Sequence, residues 1–329
     1  MNLITVALFT FFSSNVVVAR GFPGFFDSEF RKTLPCFKPD VEPSTAPSGA
    51  PSETPTQSPV VPAETLIIYA TGDVPYSAVE AVGLMGQMQA VPSDAELVLH
   101  VGDIRRSTTT PCLASEYEAV QGILNQSTAP LLVIVGDNEW NDCTNTDEAY
   151  SFFHQYFAQF EKQWSSLEAL VVRDPVYPEV FSLVQEGILV LGLNLVGGRV
   201  HNSTEWQNRL TYQANQVQER ILDYWAETGD AAKVIVTGHA DPRTRHAGFF
   251  TPFQNFVANT LNNRVPILYL NGDSHVYKYE PTFLNQSSLL RVMVRGGTVE
   301  APIRIQVNLE VNTTDPSVAF TVLRNAYVW

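Results

Sequence analysis

The chain has 329 residues, of which 45% are hydrophobic, so it is long enough to bury one large core. Its 20 basic and 34 acidic residues give a formal net charge of −14 at pH 7. This charge argues against binding to nucleic acids or anionic membranes, because phosphate groups are held by an excess of Lys and Arg.

The N-terminus predicts a secretory signal peptide over residues 1–19. An apolar run that begins at Leu3 leads to Val17-Val-Ala19, where small residues suit cleavage. The run is too short for a transmembrane span of about 20 residues, although a retained anchor is the alternative. No later segment has enough consecutive apolar residues to span a bilayer. We therefore expect a secreted or cell-surface protein with no transmembrane segment beyond the signal peptide.

Residues 20–63 form a predicted N-terminal segment that contains a linker rich in Pro, Ser and Thr. Prolines recur at every fourth position from Pro43 to Pro59. Proline removes backbone donors and small polar residues bury little area, so we expect an extended, O-glycosylated linker here rather than a core. N-glycosylation is also predicted by four Asn-x-Ser/Thr sequons, which lie at Asn125, Asn202, Asn285 and Asn312.

The three cysteines are consistent with an oxidising compartment. Cys112 and Cys143 each follow closely after an acidic strand end, so these two could form a disulfide. Cys36 is then left free or pairs with a partner chain. The alternative is that all three are reduced and simply packed.

Residues 64–329 are predicted to form one α/β domain with a packed pair of sheets. Apolar, β-branched runs predict buried strands at residues 66–70, 95–101, 130–135, 187–193, 233–236 and 265–270. Apolar positions at three- and four-residue intervals predict helices at residues 77–90, 114–124, 146–163, 205–228 and 252–262. The final runs follow one another without helices between them, which predicts a second, antiparallel set of strands at residues 289–295, 303–311 and 318–324.

Five of the predicted strands end in a glycine followed directly by a potential metal ligand. These ends are Thr71-Gly-Asp-Val-Pro-Tyr76, Val101-Gly-Asp103, Val135-Gly-Asp-Asn-Glu139, Thr237-Gly-His239 and Asn271-Gly-Asp-Ser-His275. A strand delivers such side chains to the carboxyl edge of a sheet, and the glycine lets the backbone turn there. One Asp after a glycine would more often be a turn residue than a ligand, but five such ends together favour a metal site.

The order of these ends resembles the calcineurin-like metallophosphoesterases over roughly residues 65–300. That family's pattern is Asp-x-His, Gly-Asp, Gly-Asn-His-Asp/Glu, a lone His and Gly-His-x-His. The resemblance implies an α/β, four-layer αββα sandwich of two mixed β-sheets flanked by helices. It also implies two divalent metal ions (Mn, Fe, Mg or Zn) that share an aspartate and activate a water for attack on a phosphate ester. Carried over by position, the metal ligands are Asp73, Asp103 as the shared aspartate, Asp137, His239, Asp273 and His275.

This sequence departs from the family pattern at four positions. Pro75, Asn138 and Asp273 stand where the family has histidines, and Asp137 stands where it has asparagine. Four carboxylates and two imidazoles make a harder ligand set than usual, which favours Mn²⁺, Mg²⁺ or Fe²⁺ over zinc alone. The first metal site, with Asp73, Asp103 and His275, has fewer protein ligands than the second, because Pro75 offers no ligating side chain. The purple acid phosphatase branch has a tyrosine after the shared aspartate; Ile-Arg-Arg follows here, so no tyrosinate chromophore is expected.

The catalytic and substrate-binding residues are less clearly marked. Asp103, Asn138 and His246 are the predicted catalytic residues. Asn138 can donate a hydrogen bond but cannot supply a proton at neutral pH, so His246 is the candidate substitute acid, with His201 as an alternative. The candidate clamps on phosphate oxygens are Arg105, Arg243 and Arg245.

The leading prediction is a secreted, metal-dependent phosphoesterase that hydrolyses small phosphate mono- or diesters by attack of a metal-activated water. The alternative is a noncatalytic metal-binding or cell-surface interaction module on the same fold, since Pro75 and Asn138 replace family histidines. The sequence does not identify the substrate, the native metals or the oligomeric state.

Overall fold

The computed structural model describes residues 65–108 and 110–329. The predicted signal peptide, the Pro/Ser/Thr-rich linker and Cys36 all lie outside these residues. Within the described part of the chain, two β-sheets carry the fold.

The first sheet has five strands in the order β12-β11-β1-β2-β3. Its strands are β1 (Thr65–Thr71), β2 (Leu97–His100), β3 (Leu131–Val133), β11 (Ile303–Asn308) and β12 (Phe320–Leu323). The first three run parallel to one another, whereas β11 is antiparallel to both β1 and β12. The sheet is therefore mixed, and the carboxyl ends of β1, β2 and β3 share one edge.

The second sheet has seven strands in the order β4-β5-β6-β7-β8-β10-β9. Its strands are β4 (Val172–Arg173), β5 (Phe181–Gln185), β6 (Ile188–Gly192), β7 (Val234–Thr237), β8 (Ile267–Asn271), β9 (Lys278–Glu280) and β10 (Leu289–Met293). The central strands β6, β7, β8 and β10 are parallel, and the outer pairings are antiparallel. This sheet is also mixed.

The helices lie between strands along the chain. They are α1 (Ala78–Gln89), α2 (Ala114–Leu124), α3 (Thr146–Tyr156), α4 (Ser165–Glu168), α5 (Ser203–Thr228), α6 (Ala247–Asn255) and α7 (Pro316–Ala319). Side-chain caps set three of the starts. Ser77 Oγ accepts from Glu80 N before α1, Asn202 Oδ1 accepts from Thr204 N and Glu205 N before α5, and Asp315 Oδ1 accepts from Ser317 N before α7.

The packing of alternate strand residues places the sheets and helices in layers. On β1, Leu66, Ile68 and Ala70 pack in a cluster that contains residues of both sheets. Ile67 and Tyr69 point the other way, into a cluster that includes buried residues of the helices. Since successive strand side chains face opposite sides, each sheet has one face on the other sheet and one face on helices. The predicted αββα architecture of two mixed sheets with flanking helices is confirmed.

The predicted strands and helices are largely confirmed, with three corrections. All six predicted strands of the first set are present, but β4, β5 and β9 were not predicted. The predicted antiparallel set at the end of the chain is correct only in part: β11 and β12 are antiparallel and extend the first sheet beside β1, but β10 belongs to the second sheet and pairs parallel to β8. Helix α6 begins at Ala247, earlier than the predicted residue 252, and continues as a π-helical turn at Phe256–Thr260.

A disulfide joins Cys112 to Cys143, which confirms this predicted pairing. It links the segment that follows β2 to the segment that follows β3, with 5.6 Å between the two Cα atoms. Each segment contains a predicted metal ligand within four residues of the strand end, Asp103 or Asp137. The bridge therefore holds together two loops of the predicted site.

The surface of the described residues bears on two further predictions. The asparagines of all four sequons are exposed, so their side chains are accessible. No helix in the described ranges combines the length and the apolar character that a bilayer span requires.

Candidate metal centre

The five glycine-ligand segments each follow a strand, but the strands belong to two sheets. Three segments follow β1, β2 and β3 of the first sheet, and two follow β7 and β8 of the second. A backbone N–H of the second sheet's loop joins the two sets, because Asp273 N donates to Asp73 Oδ1 at 3.0 Å. The site therefore lies between the carboxyl ends of both sheets rather than along the edge of one.

The first group of potential ligands consists of Asp73, Asp103 and His275. One ligand atom from each lies within 4.8 Å of the others. His275 Nε2 is 3.3 Å from Asp73 Oδ1. The two carboxylates are buried, while the His275 side chain is about half exposed, which leaves this group open to solvent on one side.

The second group consists of Asp103, Asp137 and His239, again with one atom of each within 4.8 Å of the others. His239 Nε2 lies 3.2 Å from Asp103 Oδ1 and 3.1 Å from Asp137 Oδ1. All three residues are buried. Asp103 therefore belongs to both groups.

The surroundings of His239 show that the second group needs a positive charge beside Nε2. Its Nδ1 lies 2.8 Å from the carbonyl oxygen of Val101, which can only accept, so Nδ1 carries a proton. In the neutral ring, Nε2 then directs a lone pair at two carboxylates. Burial lowers the pKa of His239, but Asp103 and Asp137 outweigh this effect and raise it well above its ordinary value. Either a proton or a metal ion must therefore balance the negative charge around Nε2.

Unpaired buried atoms favour a metal ion over a proton alone. Asp73 Oδ2, Asp137 Oδ1 and His239 Nε2 are buried and make no hydrogen bond of good geometry among the described residues, although His239 Nε2 lies 3.1 Å from Asp137 Oδ1. Burial raises the pKa of Asp73 to about 8, and the charges of Asp103 and Asp273 act in the same direction. Buried carboxylates that lack partners are costly unless a cation accompanies them. The donor set therefore fits divalent ions at both groups.

Asp273, the sixth predicted ligand, lies beside the second group but is a member of neither group. Its Oδ2 accepts a hydrogen bond from Asp241 N at 2.8 Å. A Cβ added at Gly197 would lie 2.8 Å from both Asp273 Oδ2 and Asp137 Oδ1, so these two oxygens face the same glycine. The loop that contains Gly197 was not predicted to reach the site.

The ligand segments use both the small size and the conformational freedom of glycine. The left-handed backbone occurs at the ligands themselves, with φ of 53° at Asp73, 58° at Asp103 and 82° at Asp273. A Cβ at Gly136 would lie 2.2 Å from Asp103 N and 2.3 Å from Asp103 Oδ1. Gly102, with φ of 95°, makes the turn that the sequence interpretation expects, whereas Gly136 lets the loops approach each other closely.

We expect Gly136→Ala to destabilise the protein by about 1–3 kcal/mol and to weaken ion binding, because the added methyl overlaps the backbone and carboxylate of Asp103. Thermal unfolding and metal analysis check this. Gly86→Ala is the matched control, because Gly86 lies in α1 and its added Cβ would meet only the Trp329 ring, at 3.8 Å. An unchanged melting temperature and metal content in Gly136→Ala would contradict the close-approach argument.

Asn138 and Glu139 both hold Asp103 in place. Asn138 donates to the carboxylate twice, from N to Oδ1 at 3.0 Å and from Nδ2 to Oδ2 at 2.6 Å. The carboxylate of Glu139 accepts from the backbone N–H groups of Gly136, Asp103 and Ile104. Burial, with the charge of Asp103, raises the pKa of Glu139 to about 8. Glu139 therefore orients this loop through its three backbone donors.

The structure gives Arg105 a different role from the predicted phosphate clamp. Its guanidinium is buried and donates to the carbonyl oxygen of Asn138 at 2.8 Å. It also forms an ion pair with Glu116 at 3.1 Å and donates to Cys112 Sγ at 3.0 Å. These contacts occupy Arg105 behind the metal-ligand loop, where it supports the disulfide and Asn138.

His246 likewise differs from the predicted proton donor. Its Nδ1 accepts from Arg243 N at 3.1 Å, so Nε2 carries the proton and lies 3.0 Å from the carbonyl oxygen of Val196. The ring is fully buried, and burial lowers its pKa to about 4. It is therefore a neutral histidine that connects two loops by hydrogen bonds.

The other two predicted clamps differ in exposure. Arg245 donates from Nη1 to the carbonyl oxygen of Gly198, in the loop that faces Asp137. The side chain of Arg243 is exposed. Of the three predicted clamps, Arg243 is the one that the structure leaves most accessible.

Sequence reasoning did not place Tyr76 in the site. Its hydroxyl lies 2.8 Å from Asp103 Oδ2 and 3.3 Å from His275 Nε2. Asn138 Nδ2 donates to the same hydroxyl at 3.2 Å. The signal was present, because Tyr76 closes the first ligand segment only three residues after Asp73.

Comparisons with known proteins agree with this geometry. The family model described as calcineurin-like phosphoesterase matches residues 68–277. None of the curated proteins matches the chain.

Two solved structures are similar to this chain. One is a protein from Thermus thermophilus, with 15% identity and a TM-score of 0.39, covering 79% of this chain and 99% of its own. The other is a Plasmodium protein, described as GAP50, the anchor in the inner membrane complex, with 8% identity and a TM-score of 0.44. That match covers 78% of this chain and 80% of the Plasmodium chain.

Proposed function

The chain belongs to the calcineurin-like phosphoesterase family, and we propose that it is a secreted, metal-dependent enzyme that hydrolyses small phosphate mono- or diesters. Asp73, Asp103 and His275 would hold one divalent ion. Asp103, Asp137 and His239 would hold the other, with Asp273 beside them as a further ligand. Bound divalent ions supply Lewis acidity for phosphate ester hydrolysis.

The observation that carries this proposal is the position of Asp103 in both ligand groups. A shared carboxylate between two ions is the arrangement that clamps the attacking and leaving oxygens of a phosphate ester. The unpaired buried atoms of Asp73, Asp137 and His239 support the same reading. Asn138, with its amide on Asp103, is proposed as a hydrogen-bond donor in the site, and exposed Arg243 as a contact for phosphate oxygens.

We expect the purified protein to bind two divalent ions and to require them for hydrolysis. Chelation should reduce the turnover of an aryl phosphate or an aryl phosphodiester to background, and added Mn²⁺, Fe²⁺, Mg²⁺ or Zn²⁺ should restore it. Metal analysis and the two assays, run across pH, give the measurement. Using both esters also tells a monoesterase from a diesterase.

Asp230→Asn is the control for general loss of charge, because this side chain is largely exposed. It should leave metal content and turnover unchanged. Turnover that persists at full rate after complete chelation, or a protein without stoichiometric metal, would refute the proposed function.

The second candidate is a noncatalytic metal-binding or cell-surface interaction module. Its support is that neither predicted residue is suited to donate a proton to the leaving group. Asn138 is an amide, and His246 is buried with both ring nitrogens hydrogen-bonded. This candidate predicts metal at one of the two ligand groups or at neither, with no hydrolysis of either ester. The same experiment therefore separates the two functions.

The proposal that the protein is secreted and N-glycosylated is supported by the disulfide and by the exposed sequon asparagines. Expression of the full chain in a eukaryotic secretory host tests it. We expect the protein in the medium, with a mass that falls on endoglycosidase treatment. Retention in the cytosol without glycans would contradict the proposal.

A further inference from the structure

Tyr76 stands in the site without an assigned role. The backbone after Asp73 turns with a left-handed φ, and the chain then enters α1, where Tyr76 N donates to Glu80 Oε2 at 2.6 Å and Ser77 caps the helix. The Tyr76 ring packs against the imidazole of His275, with 5.2 Å between the centroids. These contacts fix the phenol over the first ligand group.

We propose that Tyr76 supplies a phenolic oxygen ligand to the ion held by Asp73, Asp103 and His275. This inference rests on the proposed function, because it presumes that an ion occupies the first group. Nothing in the family pattern assigns a ligand at this position. The pattern puts a histidine at the position of Pro75, one residue earlier.

The distances within the first group support a common ion. Donor atoms at right angles around an ion at about 2.1 Å lie about 3 Å from one another. The hydroxyl of Tyr76 is 2.8 Å from Asp103 Oδ2 and 3.3 Å from His275 Nε2, and His275 Nε2 is 3.3 Å from Asp73 Oδ1. The phenol oxygen is thus spaced from its neighbours as the predicted ligands are spaced from each other.

The number of ligands in the first group also supports a role for Tyr76 as a ligand. Asp73, Asp103 and His275 provide three side chains, whereas hard divalent ions take six or more donor atoms. Pro75 has no ligating side chain. A ligand from Tyr76 would return a fourth protein donor to this ion and leave the remaining positions for water and substrate.

The chemical step is an exchange of ligand and proton. The phenol O–H bond breaks, its proton passes to the buffer, and the oxygen binds the ion in place of a water molecule. No electron is transferred. Burial and the nearby carboxylates of Asp103 and Asp73 disfavour the phenolate, and the positive charge of a bound ion would offset both effects. The alternative is that Tyr76 stays a neutral phenol and only donates a hydrogen bond to Asp103.

Absorbance spectroscopy of the full chain separates these two roles. We expect a near-ultraviolet phenolate difference signal as Zn²⁺ is added to the metal-free protein, and a visible charge-transfer band when Fe³⁺ is bound. Tyr76→Phe should lose both signals and should bind one of its two Zn²⁺ ions at least about tenfold more weakly, as seen for lost metal-site interactions. The sequence interpretation that no tyrosinate chromophore forms would then be revised.

Tyr212→Phe is the matched control, because the Tyr212 hydroxyl also donates to a carboxylate, Asp174, at 3.0 Å. It should keep both signals and both ions, and thermal unfolding should show that each variant is folded. Two bound ions in the wild type without a phenolate signal, or signals that persist in Tyr76→Phe, would overturn this inference alone. A wild-type protein that binds no ion would overturn the proposed function as well.

Discussion

Asp103→Asn is expected to abolish measurable phosphoesterase activity and to remove both ions. The carboxylate belongs to both ligand groups, and its two oxygens also accept from Asn138. An amide at this position keeps one oxygen and replaces the other with an N–H donor that faces His239, Tyr76 or Asn138. Loss of outer metal-site partners already costs about 10–100-fold, so we expect activity to fall by more than about 100-fold.

Metal analysis and ester turnover of the purified variant check this result. Asp174→Asn is the control, because Asp174 is a second buried aspartate whose carboxylate accepts from Val176 N, Tyr177 N and Tyr212 Oη. It should keep its metal content even if its melting temperature falls. If Asp103→Asn retained two ions and near-wild-type turnover, the shared position of Asp103 would have no functional meaning.

Glu139→Ala is expected to lower the free energy of unfolding by roughly 3–5 kcal/mol. The change leaves the N–H groups of Gly136, Asp103 and Ile104 without their acceptor in a fully buried environment. Each unsatisfied buried group costs about 1–3 kcal/mol, and neighbouring costs are not fully additive. Because one of these groups is the backbone of Asp103, ion binding should weaken together with stability.

Chemical denaturation measures the loss of unfolding free energy, and two further variants serve as comparisons. Glu139→Gln keeps one oxygen acceptor, so it should lose less stability than Glu139→Ala. Glu219→Ala removes an exposed glutamate from α5 and should change stability by less than about 0.5 kcal/mol. A loss in Glu139→Ala no larger than that of Glu219→Ala would show that solvent replaces the carboxylate.

The parts of the fold that the sequence predicted well depend on local pattern. Runs such as Leu66–Ala70 are buried on both faces, and a glycine followed by Asp or His marks where such a strand ends. The same runs did not reveal their partners. Nothing in Leu289–Met293 distinguishes a strand that pairs parallel to β8 from one in a separate antiparallel sheet, because the pairing is decided by contacts distant in sequence.

The same contrast between local pattern and distant contacts explains why the ligands were predicted better than the residues around them. Asp73, Asp103, Asp137, His239 and His275 lie at strand ends, so chain order alone predicted that they meet. Arg105 and His246 lie in loops, where the direction of a side chain depends on partners such as Asn138 and Val196. Charge and type made them candidates for catalysis, whereas burial and hydrogen bonding give them structural contacts.

Because the ligands come from two sheets, bound ions would connect one sheet to the other. Asp73, Asp103 and Asp137 leave the first sheet, and His239 and His275 leave the second. Between these ends the two sheets pack through a buried apolar layer. Ions bound by loops of both sheets would connect the two sheets at one end of that layer. Their occupancy would fix the registration of one sheet over the other and add to the resistance of the whole domain to unfolding.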